Sequence, residues 1–194
     1  MSRLMRRYAW LLLVVLLAGF YLFRPAGWDG QPGKGSYRKL PEQQKPEISE
    51  YNKLLAKAQV ISIADADTLT VSGNDGKHYR IRLQGIDAPE KKQAYGKACR
   101  TQLQTLANHQ TVQVEAYKHD RYGRIVAKVL LHGEDVALQL IRQGCGWHYV
   151  AYADEQSGSD RRAYARAERS ARSQHQGLWQ DKQPQPPWEY RQQR

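Results

Sequence analysis

The chain has 194 residues and a formal net charge of +11. This length allows one globular domain with appendages and excludes a large multidomain assembly. The basic excess favours an anionic partner, either nucleic acid or anionic lipid, and the scattered histidines and the two cysteines lack the spacing of a zinc site.

An apolar segment begins the chain. Arg3, Arg6 and Arg7 precede an uncharged run over residues 8–23 that ends in aromatic side chains. A basic flank followed by such a run is typical of a signal sequence or anchor. We predict an uncleaved, single-pass membrane anchor over residues 1–23, with the rest of the chain outside the cytoplasm. The alternative is a cleaved signal peptide and a secreted or periplasmic protein.

Two further segments have the composition of linkers. Residues 24–50 are rich in Gly, Pro, Gln and Lys and have no apolar period, which predicts a linker over residues 24–54. Residues 181–194 form a Pro/Gln-rich tail that we predict to be disordered. A folded domain is therefore expected over residues 55–180.

Hydrophobic periodicity in this domain predicts mainly β structure. Apolar residues in alternation or in short runs indicate five strands, at residues 59–63, 68–72, 78–84, 111–117 and 124–131. Helical spacing and capping residues indicate three helices, at residues 95–108, 135–143 and 159–174. This order favours an α+β, mainly β fold: a five-stranded OB-fold barrel with about three helices, preceded by the N-terminal apolar helix.

The third predicted strand ends in a turn that is rich in carboxylates. Arg82 lies on the polar face of this strand, and Gly85 and Pro89 end it. Asp87 and Glu90 follow within a few residues. Two acids beside an arginine at a strand end indicate a site that holds a metal cation and a phosphate together.

Four short motifs extend this pattern along the chain. They are Asp65-Ala66-Asp67-Thr68, the stretch from Arg82 to Glu90 (RLQGIDAPE), Asp120-Arg121-Tyr122-Gly123-Arg124, and Gly177-Leu178-Trp179. In order and rough spacing, they resemble the motifs of the staphylococcal nuclease (thermonuclease) family. The resemblance covers residues 57–180, which is essentially the whole predicted domain.

The resemblance implies a role for each matching residue. Asp67 and Asp87 would bind Ca²⁺ through their carboxylates, and Ala88 would add its backbone carbonyl. Glu90 would act on the attacking water. The scissile phosphate would be held by two arginines, Arg82 and Arg124.

The chemistry of these side chains is consistent with those roles. A hard cation such as Ca²⁺ prefers oxygen ligands. Planar guanidinium groups contact phosphate oxygens in pairs, which a lysine cannot do. Whether Glu90 is a true general base or mainly orients the water is left open by the sequence.

Four other residues are candidates for supporting roles. Tyr122 and Tyr149 are expected to contact the substrate, by stacking on a base or by touching a phosphate. Cys99 and Cys145 are the two cysteines. They form either a disulfide, which an oxidising compartment would favour, or two buried free thiols.

The function predicted is therefore a Ca²⁺-dependent endonuclease acting on DNA, RNA or both with little sequence specificity. The resemblance implies cleavage of the 5′ P–O bond, which leaves 3′-phosphate products. One alternative is a non-catalytic nucleic-acid-binding barrel tethered to the membrane, and another is an envelope domain that binds protein or a cell-wall polymer. The joint presence of the five polar residues favours the nuclease. The membrane is a further expected partner through the N-terminal segment, and no protein partner is inferable.

Overall fold

The structure is a computed structural model, and it describes residues 45–193. The predicted membrane anchor and most of the predicted linker lie outside these residues. Within residues 45–193, no helix is both long enough and apolar enough to cross a membrane.

Eight strands and five α-helices occur in the described residues. The strands are β1 (Ala58–Asp65), β2 (Thr68–Ser72), β3 (His78–Leu83), β4 (Ile86–Asp87), β5 (Thr111–His119), β6 (Ile125–Leu131), β7 (Glu134–Asp135) and β8 (Trp147–His148). The helices are α1 (Ile48–Leu54), α2 (Gly96–Ala107), α3 (Val136–Arg142), α4 (Gly158–Ser173) and α5 (Pro187–Gln192), with 3₁₀ turns at Val150–Glu155 and Gly177–Gln180.

A closed five-stranded barrel is the centre of the domain. Strands β1, β2, β3, β5 and β6 pair in a ring. Every pair in this ring is antiparallel except β3 with β6, whose parallel pairing closes the barrel. The predicted OB-like barrel is confirmed, and so are the three predicted helices, which correspond to α2, α3 and α4.

Alternation of side chains explains why these segments form the barrel wall. In β6, Ile125, Ala127, Val129 and Leu131 are buried, while the residues between them are half-buried. Period-2 burial of this kind directs one face of the strand into the barrel interior. The same alternation occurs in β5, so the core lies inside the barrel and beneath the helices.

The structure corrects the predicted linker at its C-terminal end. Residues 48–54 form α1, and Tyr51 and Leu55 are buried in the core. The Asn52 carboxamide accepts a hydrogen bond of 2.6 Å from the Ala116 amide. Apolar residues four apart cover one part of the barrel, a signal that the segment's polar composition obscured.

The predicted disordered tail is also corrected. Residues 187–192 form α5, with Pro187 buried at its first turn. The Trp188 ring lies 6.3 Å from Trp147 and 5.7 Å from Tyr149, so it fastens the segment to the domain. A composition argument averages over the segment and therefore misses one aromatic anchor.

Cys99 and Cys145 are brought side by side in the core. Both are buried and free. A hydrogen bond with Cys145 raises the pKa of the Cys99 thiol, and burial raises it further. The two thiols are thus neighbours in the core, and the disulfide itself stays a prediction.

Asp135 links α3 to α4 and provides a test of the packing. Its carboxylate caps α3 by accepting from the amides of Ala137 and Leu138, and it accepts a 2.8 Å hydrogen bond from the Tyr164 hydroxyl. We expect Asp135→Ala to lower the free energy of unfolding by about 2–4 kcal/mol, because it removes a helix cap and leaves a buried hydroxyl unpaired. Urea denaturation measures this loss. The exposed neighbour supplies the control: Glu134→Gln should change stability by less than about 0.5 kcal/mol. Equal stability of both variants would contradict the prediction.

Candidate active site

A groove of about 540 Å³ opens at the rim of the barrel. The β1–β2 turn, the segment that follows β3, and the β5–β6 hairpin form its walls. Five residues predicted from the sequence line it together: Asp67, Arg82, Asp87, Glu90 and Arg124. The fold thus assembles in one groove side chains that come from three separate parts of the chain.

Two carboxylates share one guanidinium at the centre of the groove. Arg82 Nη2 lies 3.2 Å from Asp67 Oδ2 and 3.1 Å from Asp87 Oδ1. Because one guanidinium nitrogen contacts both carboxylates, one oxygen of each carboxylate points toward the same position. All three side chains are largely buried, so this attraction is weakly screened.

Strand register and a tight turn place these three residues. In the pairing of β2 with β3, Thr68 lies opposite Arg82, which brings the neighbouring Asp67 close to the arginine. Gly85 then reverses the chain with a φ of +73°, and a Cβ there would lie only 2.2 Å from the Gln156 amide nitrogen. The conformation and the close approach both require glycine. Arg82 Nη1 also donates to the Ile86 carbonyl at 2.7 Å, which fixes the turn.

Burial dominates the electrostatics of the acidic residues. The Asp87 side chain is 1% exposed, and burial raises its pKa despite the opposing contacts from Arg191 and Arg82. Burial also raises the pKa of Asp65, with further contributions from the negative charges of Asp67 and Glu90. Concentrated negative charge of this kind favours a cation in the groove.

Arg124 reaches the groove from the β5–β6 hairpin. The Asp120 side chain accepts from the amides of Tyr122 and Arg124 at 2.9 Å, and from Arg124 Nε at 2.6 Å. Burial alone would raise the pKa of Asp120, but these hydrogen bonds from Arg124 outweigh it and lower the pKa. Arg124 Nη1 also donates to Thr68 Oγ1 at 3.1 Å, and that hydroxyl donates to Asp67. The hairpin therefore orients Arg124 toward the carboxylate pair.

Glu90 lies beside the pair on the loop that follows β4. Its amide donates to the Gln93 side chain at 3.0 Å, which holds the loop. The Glu90 side chain is 36% exposed and therefore accessible to water. The nearby Ala88 amide donates to Asp67 at 3.3 Å, so this stretch of backbone lies directly against the carboxylates.

The two predicted substrate-contacting tyrosines both line the groove. Tyr122 is 57% exposed, and the guanidinium groups of Arg121 and Arg124 lie 4.8 Å and 5.4 Å from its ring centre. Tyr149 stacks on Trp188 with ring centres 5.7 Å apart and planes 15° apart. Tyr122 is thus an exposed ring in contact with two guanidinium groups, whereas one face of Tyr149 is covered by Trp188.

Sequence reasoning missed Arg191, which also lines the groove. Arg191 Nη2 lies 2.8 Å from Asp87 Oδ2, and its Nη1 lies 2.9 Å from Glu90 Oε1. The signal that was available is the sequence Pro187-Trp188-Glu189-Tyr190-Arg191, in which a proline begins a helix that carries an aromatic residue and a basic residue.

The carboxylate pair is suited to a hard cation. Among residues 45–193, no group of three or more His, Cys, Asp or Glu side chains has the geometry of a metal site. The ligand set predicted from the sequence has only two such side chains, Asp67 and Asp87. Its third ligand is the backbone carbonyl of Ala88. These donors are all oxygen, and both acids already face one cationic atom of Arg82. They therefore fit a divalent cation that prefers oxygen ligands.

Comparison with known proteins leads to the same class. Residues 80–181 match the family described as "Staphylococcal nuclease homologue". A protein named "Uncharacterized endonuclease" from Escherichia coli is 38% identical over 134 residues, covering 69% of this chain and 83% of that protein. A barrel of the staphylococcal nuclease type is thus the class that the fold and the groove define. The chain belongs to the staphylococcal nuclease homologue family.

Two plant relatives are considerably longer than this chain. "Probable staphylococcal-like nuclease CAN1" of Oryza sativa subsp. japonica is 40% identical over 134 residues, which cover 66% of this chain and 39% of that protein. "Staphylococcal-like nuclease CAN1" of Arabidopsis thaliana is 40% identical over 116 residues, which cover 59% and 34%. The chain therefore spans little more than a third of the length of these relatives.

Proposed function

We propose that this chain is a Ca²⁺-dependent phosphodiesterase that hydrolyses DNA, RNA or both with little sequence preference. One observation supports the proposal best: two buried carboxylates and two arginines converge in one groove of a staphylococcal nuclease-type barrel. Metal-assisted hydrolysis of a phosphodiester uses a proton acceptor, groups that bind the phosphate and ligands that bind a cation. Glu90, the two arginines and the two carboxylates would supply these in one groove.

Each residue has a distinct task in this proposal. Arg82 and Arg124 bind the phosphate and offset the negative charge that grows on its oxygens as water attacks. Glu90 orients that water and accepts its proton while the P–O ester bond breaks. Ca²⁺ bound by Asp67, Asp87 and the Ala88 carbonyl would supply further positive charge against the phosphate. Cleavage of the 5′ P–O bond leaves a 3′-phosphate, and the departing 5′ oxygen takes a proton from solvent water to become a hydroxyl.

The exposure of Tyr122 supports a substrate with exposed bases. An aromatic ring that is 57% exposed at the groove edge can stack on any base, since every base has a π face. Stacking carries little sequence information, so the proposed activity is non-specific and favours single strands.

A cleavage assay on labelled single-stranded DNA and RNA tests the proposal. We expect cleavage with added Ca²⁺, loss of cleavage with a chelator, and weak activity with Mg²⁺, whose strict octahedral geometry suits this site poorly. Labelling of the product ends reports whether the phosphate is on the 3′ side. Tight nucleic-acid binding without cleavage under every metal condition would instead support a non-catalytic binding module.

We also propose that residues 1–23 anchor the protein in a membrane, with the barrel outside the cytoplasm. The basic flank and the apolar run support this placement. Membrane fractionation followed by a carbonate wash tests it, and release of the full-length protein into the wash would contradict it.

A further inference from the structure

Residues 183–193, which we call the strap, lie against the groove and after the residues that match the family. The strap is attached to the loop beside Glu90, because Gln93 Nε2 donates to the Gln185 carbonyl at 2.6 Å. Trp188 attaches it a second time by packing on Trp147 and Tyr149. These few contacts hold a six-residue helix, α5, that carries Arg191 into the groove.

Arg191 binds the carboxylates that the proposed function needs. Its Nη1 and Nη2 lie 3.2 Å and 2.8 Å from the two oxygens of Asp87, and Nη1 also lies 2.9 Å from Glu90. A bidentate contact of this kind is a strong mode of guanidinium binding to a carboxylate. Both oxygens of Asp87 thus contact the positively charged side chain of Arg191.

The same strap covers a surface that a nucleotide would use. Trp188 stacks nearly parallel on Tyr149, with 15° between the ring planes. An aromatic face that is covered in this way is closed to a base. The strap therefore affects the cation-binding acid, the water-activating acid and one stacking surface at the same time.

Arg191 differs from the other two arginines of the groove in how it is held. Arg82 lies on a barrel strand and Arg124 on the hairpin between two barrel strands, so the barrel itself positions the backbone of both. Arg191 lies on a short helix outside the barrel, and its side chain is 42% exposed. It can leave the groove while the barrel stays intact.

We propose that the strap is an autoinhibitory element in which Arg191 holds both oxygens of Asp87, one carboxylate of the proposed cation site, until cation and substrate displace it. Ca²⁺ and Arg191 compete for Asp87, because Arg191 contacts both of the carboxylate oxygens that the cation would need and its positive charge repels a nearby cation. Removal of Arg191 therefore strengthens Ca²⁺ binding. This inference rests on the proposed function, in which Asp87 is a cation ligand.

Calorimetric titration of the full-length protein with CaCl₂ measures the competition directly. We expect Arg191→Ala to bind Ca²⁺ about tenfold more tightly, since the substitution removes the charge-assisted hydrogen bonds that compete with Ca²⁺ for the Asp87 carboxylate. Trp188→Ala, which frees the strap but keeps Arg191, should act in the same direction. Arg169→Ala is the matched control, because Arg169 is an exposed arginine on α4 that does not line the groove, and its affinity should be unchanged.

Hydrogen exchange and cleavage provide two independent readouts. Adding Ca²⁺ to the unaltered protein should speed amide exchange in residues 187–193, and Arg191→Ala should be the more active form at limiting Ca²⁺. Weaker Ca²⁺ binding in Arg191→Ala would overturn the inference. Lower kcat/KM in this variant would overturn it too, since Arg191 would then act as a third phosphate-binding arginine. Unchanged affinity in a protein that cleaves DNA would overturn it as well. Absence of Ca²⁺-dependent cleavage in every variant would overturn the proposed function, and the inference with it.

Discussion

Replacement of Arg124 by alanine is expected to lower kcat on single-stranded DNA by about three orders of magnitude or more. The reason is that the guanidinium offsets charge on the phosphoryl oxygens, an effect that is largest in the transition state. Arg124→Lys should recover only a small part of the rate, because an ammonium group cannot make the paired contacts of a guanidinium. Steady-state cleavage at saturating Ca²⁺ measures both losses.

A surface arginine on the same barrel provides the control for this experiment. Arg80 is exposed on β3, two residues before Arg82, and Arg80→Ala removes the same charge from the domain. Its kcat should stay within about twofold of the unaltered protein, since Arg80 does not line the groove and its solvent-exposed charge is screened. Similar losses in Arg80→Ala and Arg124→Ala would show that net charge, rather than a phosphate contact, governs the rate.

Glu90→Gln is expected to lower kcat by about 10²–10⁴-fold, the range that a positioned proton acceptor contributes. The change keeps the size of the side chain and its hydrogen bonding to water, and removes only the basic oxygen. KM should change little, because the group acts on water and not on the nucleic acid. Single-turnover cleavage separates the chemical step from product release.

The fold of the Glu90→Gln variant is expected to persist. The Glu90 side chain is 36% exposed and pairs with Arg191, which is 42% exposed, and an ion pair this exposed contributes little to stability. Thermal unfolding should therefore match that of Glu134→Gln, an exposed acid at β7. A rate within threefold of the unaltered protein would mean that Glu90 neither accepts the proton nor orients the water.

The barrel was accessible from the sequence because its signals are local. In β6, the alternation of Ile125, Ala127, Val129 and Leu131 predicts both that the segment is a strand and which of its faces points into the barrel. The acids and arginines of the groove were accessible for a different reason. Asp67, Asp87 and Arg124 each lie at the end of a strand or in a hairpin, where side chains leave the barrel wall at its rim.

The contacts that depend on distant parts of the chain were not accessible in the same way. Asp87 and Arg191 are separated by 104 positions, and no periodic pattern connects them. The Pro/Gln composition of the last segment predicted disorder, whereas Trp188 packs on Trp147 and Tyr149 and Arg191 pairs with Asp87, contacts that hold the segment against the domain. Composition measures the average cost of ordering a segment and says nothing about one well-placed anchor.

Local signals thus predicted the barrel, three of its helices and five of the polar residues that line the groove, because strand periodicity and turn residues depend on neighbouring positions. The folded structure shows how those residues are paired. It placed Arg82 between two buried carboxylates, set Cys99 beside Cys145, and brought Arg191 onto Asp87 and Glu90. Those arrangements arise from packing between distant segments, whose energies depend on the complete fold.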